Sequence, residues 1–288
     1  MVARSKSVHM LALASVLLSA ADAPAANAGG KRRAVLKSGI TMRYIAAGPT
    51  GGAPLILLHG LGDTSRSWAL VLPSLARRHR VYALDQRGHG GTDAPACCYT
   101  VPDLAYDVVA FMDAMKIDRA AIAGHSMGSF VAQHLAAAYP DRVTRLVLLG
   151  SSDTTAGSET VGWLWDQART FDTGVPAAFV DELQSSPTPV DADFLAKVKA
   201  ETFAVPPHVW KGLARMFLVE DHRRFLSDIR APTLILWGEK DAAFPRASQD
   251  RLQKALPGSV FKAYPKVGHN LHWEIPEQVA EDIEAFLR

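Results

Sequence analysis

The stretch IAGHSMGSF, residues 122–130, sets a serine between two glycines at the spacing G-x-S-x-G. AAIAG (120–124) reads as a buried strand, and SFVAQHLAAAYP (129–140) as a helix stopped by Pro140. A strand that turns directly into a helix puts Ser126 at the tip of a tight reversal. Gly124 and Gly128 carry no Cβ, so helix and backbone can approach closely there. The serine side chain then stands out at the carboxyl ends of the strands, where open α/β sheets bind ligands. The string alone occurs by chance, and a serine in an ordinary βα turn is the bland alternative. Between a strand and a helix the string is specific, and a base, an acid and two backbone donors should then appear elsewhere.

Working outward, AVLKSGITMRYIAAG (34–48) predicts two short strands. PLILLHG (54–60) and VYALD (81–85) are continuous apolar runs, which suits strands covered on both faces. WALVLPSLARRHR (68–80) has helical spacing. Residues 101–117 place Leu104, Val108, Phe111 and Met115 on one helix face. VTRLVLLGS (143–151) is a strand again. The alternation lapses between about Asp153 and Ser227, a stretch rich in Trp, Phe and Pro that reads as short helices with no strand of its own. It resumes with the strand PTLILWGEKD (232–241), a helix around 246–256, the strand SVFKAYP (259–265) and a closing amphipathic helix 276–288. This alternation predicts a mainly parallel sheet with helices on both faces. An insertion between two strands of one sheet is most simply a lid over the strand ends, because the chain returns to finish the same sheet. The expected organisation is a core of 29–152 and 228–288 with a helical lid of 153–227.

Composition narrows the function. Of 288 residues 48% are hydrophobic and 21% charged, and the formal net charge is +2. No basic run exceeds Lys31-Arg32-Arg33, so a nucleic-acid partner has no electrostatic footprint. At the start, Arg4 and Lys6 precede the apolar run Met10–Ala20, followed by ADAPAANA. That predicts a secretory signal peptide, residues 1–28, cleaved after Ala28, and a secreted or periplasmic protein. The run is too short for a stable membrane anchor, which needs about 20 apolar residues. The only cysteines, Cys97 and Cys98, are adjacent, and neighbouring Cα atoms lie ~3.8 Å apart, below the usual disulfide range. Two free thiols in a loop are expected. Neither has zinc-type spacing with a histidine, so no metal is implied.

A serine hydroxyl is a poor nucleophile without a base. His269, in KVGHNLHWE, follows the last predicted strand in a glycine-marked loop at the same sheet edge; His272 is the rival, read as a packed or capping residue. His9 goes with the signal, and His79, His208 and His222 read as surface residues. The imidazole needs a carboxylate to fix its tautomer. Asp241 closes ILWGEKD just past the seventh strand, with Glu239 the near alternative and Asp153 the distant one. The order Ser126, Asp241, His269 is the one this type of sheet uses. For the oxyanion donors, the loop of LLHGLGDTSRSW (57–68) offers Leu61, with Gly62 as the lesser candidate, and Met127 follows the serine.

The ordered motifs HGLG, DQRGHG (85–90), GHSMG (124–128), WGEKDAAFP and GHNLHWE together resemble the α/β-hydrolase superfamily. The likeness is greatest to its lidded esterase, lactonase and cofactor-free haloperoxidase branch, and it covers the mature chain except the lid. The resemblance implies an eight-stranded, mostly parallel sheet with a helical lid after strand six, and a Ser126–Asp241–His269 triad needing no cofactor or metal. Epoxide hydrolases and haloalkane dehalogenases of this fold carry Asp where this chain has Ser126, which argues against both. Carbon–carbon bond hydrolases share the serine, but the arginine and asparagine pattern expected around their acidic substrates is missing. The expected activity is cleavage of a small apolar ester or lactone through an acyl-enzyme. A carbon–carbon hydrolase, a perhydrolase and a receptor with a slow triad are the alternatives. Trp163, Trp165 and Phe217 in the lid are candidate substrate contacts, though a Trp/Phe-rich segment serves equally as the lid's own core.

Overall fold

The computed structural model describes residues 30–288; the expected signal peptide lies outside them. Eight strands form one sheet: β1 (Lys31–Val35), β2 (Thr41–Ala47), β3 (Ala53–Leu58), β4 (His79–Leu84), β5 (Ala120–His125), β6 (Val143–Leu149), β7 (Thr233–Gly238) and β8 (Val260–Tyr264). Their spatial order is β1-β2-β4-β3-β5-β6-β7-β8. β2 pairs antiparallel with β1 and β4, and every other pairing is parallel. β3 shows why its sequence is apolar throughout. Leu55 and Leu57 point into a core with Trp68, Leu75, Val279 and Ile283, while Ile56 and Leu58 point into another with Phe111, Phe130 and Val131. A strand with helices over both faces has no polar side to alternate to.

The helices covering those faces are α1 (Leu72–Leu75), α2 (Val101–Ala114), α3 (Met127–Ala138), then α4 (Glu159–Ala168), α5 (Ala177–Leu183), α6 (Ala192–Phe203) and α7 (Pro207–Phe217), and finally α8 (Arg246–Ala255), α9 (Leu271–Glu274) and α10 (Pro276–Leu287). α4 to α7 are inserted between β6 and β7. A single antiparallel bridge, Thr154 to Asp221, ties the two ends of this insertion together. Thr100 starts α2 with a capping box, exchanging hydrogen bonds with Asp103.

Three expectations need correction. The helix expected over 68–80 is only a 3-10 turn, Ser65–Trp68, followed by the four residues of α1. Pro73 has no amide to continue a helix begun earlier, and His79 and Arg80 are already paired with Ala53 and Pro54 of β3. His222 is buried rather than at the surface. The chain returning from the insertion lays it beside Phe130 and Phe225, with Nδ1 2.8 Å from Gln133 Oε1 and Nε2 2.8 Å from Glu220 Oε1. Cys97 and Cys98 are joined as a vicinal disulfide rather than left as free thiols. The left-handed backbone of Cys98 (φ 73°) turns the chain between the two side chains.

Candidate active site

Ser126 sits between β5 and α3 with φ 50° and ψ −118°. A non-glycine residue at positive φ is uncommon and stores strain, so its surroundings must hold it. They do. The Ser126 N–H donates to Leu149 O at the end of β6 (3.0 Å), and its carbonyl accepts from both the amide (2.8 Å) and the hydroxyl (2.6 Å) of Ser129. The flanking glycines permit this closeness. A Cβ on Gly124 would lie 2.2 Å from Gly128 O, and one on Gly128 would lie 2.3 Å from Leu58 O.

β7 and β8 deliver their partners to the same edge. His269 Nδ1–H donates to Asp241 Oδ2 at 2.9 Å. Asp241 Oδ1 accepts from the amides of Ala243 (2.9 Å) and Phe244 (3.0 Å), so the carboxylate is aimed by backbone. Burial, the largest influence on His269, favours its neutral form. The Asp241 charge and hydrogen bond, joined by Asp63 and Glu274, outweigh it, and the imidazole ends above its ordinary value of 6.5. The rivals are placed otherwise. His272 is buried with Nε2 2.9 Å from Ser67 Oγ. Asp153 pairs with Arg251 (2.9 and 3.0 Å), and Glu239 is exposed.

The loop after β3 makes a turn at Gly60–Asp63, closed by the Asp63 amide donating to Gly60 O (3.2 Å), with Gly62 at φ 80°. The glycine supplies the left-handed residue such a turn requires. Gly62 N–H donates to His89 Nε2 at 3.2 Å and is therefore committed. Leu61 N–H makes no hydrogen bond among the described residues. Met127 is the first residue of α3, where an amide has no acceptor within its helix. Among the described residues the Leu61 and Met127 amides are thus uncommitted, and that of Gly62 is not.

Beneath this edge lie buried imidazoles. His59 Nδ1–H donates to Gly60 O (2.7 Å) and its Nε2 accepts from Gln86 N–H (2.9 Å). His89 Nδ1–H donates to Arg87 O (3.0 Å). His125 Nε2–H donates to His269 O (3.1 Å), and its ring lies 4.4 Å from that of His272. Burial pushes all four below the ordinary histidine value, His89 and His272 to about 3. Asp63 is buried among them. Its Oδ1 accepts from Gln184 Nε2 (3.0 Å), and its Oδ2 accepts from Ser67 Oγ (3.3 Å) and lies 4.0 Å from His125 Nδ1. Burial pushes the Asp63 carboxyl up to about 7. Sequence reasoning missed Asp63, His125 and Gln184. A charged residue directly after the HGLG turn was the one available signal for Asp63.

Ser126 and His269 line a cavity of about 510 Å³ whose apolar wall includes Trp163, Leu183, Phe217 and Phe244. Trp165 is not on this wall: it packs, partly buried, against the main core. Two residues on from Trp163, it is turned by about 200° around α4. Among the described residues no group of three or more His, Cys, Asp or Glu side chains is arranged to hold a metal ion. No described helix is long and apolar enough to cross a membrane.

Comparison with known proteins agrees with this architecture. The chain is 32% identical over 259 residues to the dihydrolipoyllysine-residue acetyltransferase component of an acetoin cleaving system from Pseudomonas putida, matching 87% of this chain and 67% of that one. It is 29% identical over 255 residues to a 2-hydroxy-6-oxo-2,4-heptadienoate hydrolase of P. putida, matching 82% of this chain and 89% of the relative. Among solved structures, the enol-lactonase from Burkholderia xenovorans superposes with a TM-score of 0.79 at 26% identity, over 89% of this chain and 99% of the other. The family model described as alpha/beta hydrolase fold matches residues 53–276. With that match and the sheet that β1 to β8 build, the chain belongs to the alpha/beta hydrolase fold family.

Proposed function

We propose that the protein is a serine hydrolase that cleaves small carboxylic esters or lactones through an acyl-enzyme intermediate. The observation that carries this reading is one geometry. His269, hydrogen-bonded by Asp241 through Nδ1, lines the same cavity as Ser126 on its strained turn. His269 Nε2 takes the Ser126 hydroxyl proton as Oγ attacks the substrate carbonyl carbon. The carbonyl electrons move onto oxygen, where the Leu61 and Met127 amides hold the oxyanion. Collapse expels the alkoxide, which takes the proton from His269. Water then repeats the sequence on the acyl-enzyme and restores Ser126. No step calls on a metal or cofactor.

Residues 153–227 act as a lid in this reading, with Trp163 and Phe217 contacting an apolar acyl group. The leader of residues 1–28 exports the enzyme to the periplasm or medium. A second reading, hydrolysis of a carbon–carbon bond, is favoured by the identity to the 2-hydroxy-6-oxo-2,4-heptadienoate hydrolase. Turnover of p-nitrophenyl esters and lactones beside a dienoate of that kind separates the two.

The test of the nucleophile is Ser126→Ala. Esterase activity should fall by roughly 10⁴-fold or more in a folded protein. A fluorophosphonate probe should label the wild type at Ser126 alone. Labelling elsewhere, or an active alanine variant, rejects the assignment.

A further inference from the structure

In the loop after Leu61, Gly62, Asp63, Thr64 and Arg66 each meet the insertion. At Gly62 a Cβ would lie 2.7 Å from the Trp210 ring of α7 and 3.2 Å from Thr202 Cγ2 of α6. Asp63 Oδ1 accepts from Gln184, which follows α5, and the same Gln184 Nε2 donates to Thr202 Oγ1 at 2.9 Å. Thr64 Oγ1 donates to Glu201 Oε2 (2.5 Å), and Arg66 Nε pairs with Glu201 Oε1 (2.9 Å). From the opposite side, His272 Nε2–H reaches Ser67 Oγ, whose hydroxyl donates to Asp63 Oδ2.

Asp63 is the one residue in this set that does two things. Its amide closes the turn that displays the Leu61 N–H, and its carboxylate receives the insertion. We propose that Asp63 is a positioning residue for the oxyanion hole: Gln184 holds its carboxylate, and through it holds the Leu61 amide on Ser126. The proposal rests on the reading of Leu61 as an oxyanion donor. It makes the insertion part of the catalytic framework as well as a wall of the cavity. Burying a carboxyl at a turn costs desolvation free energy, which hydrogen bonds from Gln184 and Ser67 offset only in part. An oxyanion donor displaced by a fraction of an ångström loses much of its effect, because it acts only at the position the developing charge will occupy.

The experiment uses the whole protein with p-nitrophenyl acetate, whose acyl group is too small to depend on the insertion's apolar wall. Asp63→Ala and Gln184→Met should each lower kcat by roughly 10- to 100-fold with KM little changed, less than the roughly 10²- to 10³-fold that outright removal of one oxyanion donor costs. A trifluoromethyl ketone, which Ser126 converts into a bound hemiketal oxyanion, should lose affinity by a matching factor. Asp63→Asn, whose side-chain carbonyl still accepts from Gln184, should retain most of the activity. If Asp63→Ala does not fold, Gln184→Met carries the test, because it removes only the donor and keeps the length. The inference is overturned if a folded variant keeps wild-type kcat, if kcat falls without a matching loss of ketone affinity, or if Asp63→Asn is as damaged as Asp63→Ala. An active Ser126→Ala variant would instead overturn the reading of the whole site. An inactive one beside wild-type Asp63 and Gln184 variants would remove this inference alone.

Discussion

The sheet edge and the inserted helices face each other across one cavity and hold their residues by different means. At the sheet edge the chemistry-bearing side chains are fixed by backbone: Ser126 by Leu149 and Ser129, Asp241 by the amides of Ala243 and Phe244. In the insertion the residues on the wall are held by other side chains. Trp163 stacks on Phe179 (5.3 Å), which meets Trp210 edge-on (5.2 Å). Backbone hydrogen bonds survive most substitutions of neighbouring side chains, whereas an aromatic cluster repacks when one member shrinks. The edge is therefore suited to a constant reaction and the insertion to an adjustable preference.

The sharpest way to break that contrast is at the acid. Asp241→Asn keeps an oxygen for the Ala243 and Phe244 amides, so the loop should hold. It presents the wrong partner to His269 Nδ1, and kcat should fall by roughly 10³- to 10⁴-fold. Asp153→Asn, which touches Arg251 instead, should leave kcat near wild type while lowering the melting temperature. A reversed ranking in kcat would move the acid to the end of β6.

The pH profile is the next effect in size. His269 must be neutral to accept a proton, and its protonated form is favoured in the fold, so kcat/KM should rise with pH through a midpoint above 6.5. A midpoint at or below 6.5 would mean that Asp241 does not govern the imidazole.

The smallest effect belongs to the insertion. Trp163→Ala or Phe217→Ala should shift preference among acetate, butyrate and octanoate esters by roughly 10- to 200-fold, the range one methylene contributes in an apolar pocket. The acetate rate should change much less. Parallel losses on all three esters with a lower melting temperature would assign these rings to packing alone.

How far the sequence discloses each region follows from the same contrast. The sheet was legible because its signals are local: apolar runs of strand length, a serine between glycines, and a histidine and an aspartate each directly after a strand. β7 and β8 end within three to five residues of Asp241 and His269. The insertion was legible only as a helical stretch. Whether Trp163 or Trp165 reaches the cavity depends on the rotation of α4, which tertiary packing sets. Asp63 depends on Gln184, 121 residues away, and no periodicity reports a pairing of that kind. His222 looked polar and so external, yet Gln133 and Glu220 supply buried partners for both of its nitrogens.

The row of neutral imidazoles under the sheet edge makes the fold sensitive to acid in a particular way. His59, His89, His125 and His272 hold fewer protons folded than unfolded once the pH drops below the ordinary histidine value. Each one that charges on unfolding adds a proton to the difference, so stability falls as pH falls from about 6.5 toward about 3. Asp63 opposes them, because its raised carboxyl takes up a proton in the folded state between about 4 and about 7. At His59 and His89 the cost is also geometric. A proton on Nε2 would face the amide of Gln86 or of Gly62, donor against donor. Acidification should therefore loosen the turn under Leu61 before it loosens the sheet. Acidity becomes a control on how long the fold lasts, set by side chains that do not line the cavity of Ser126 and His269.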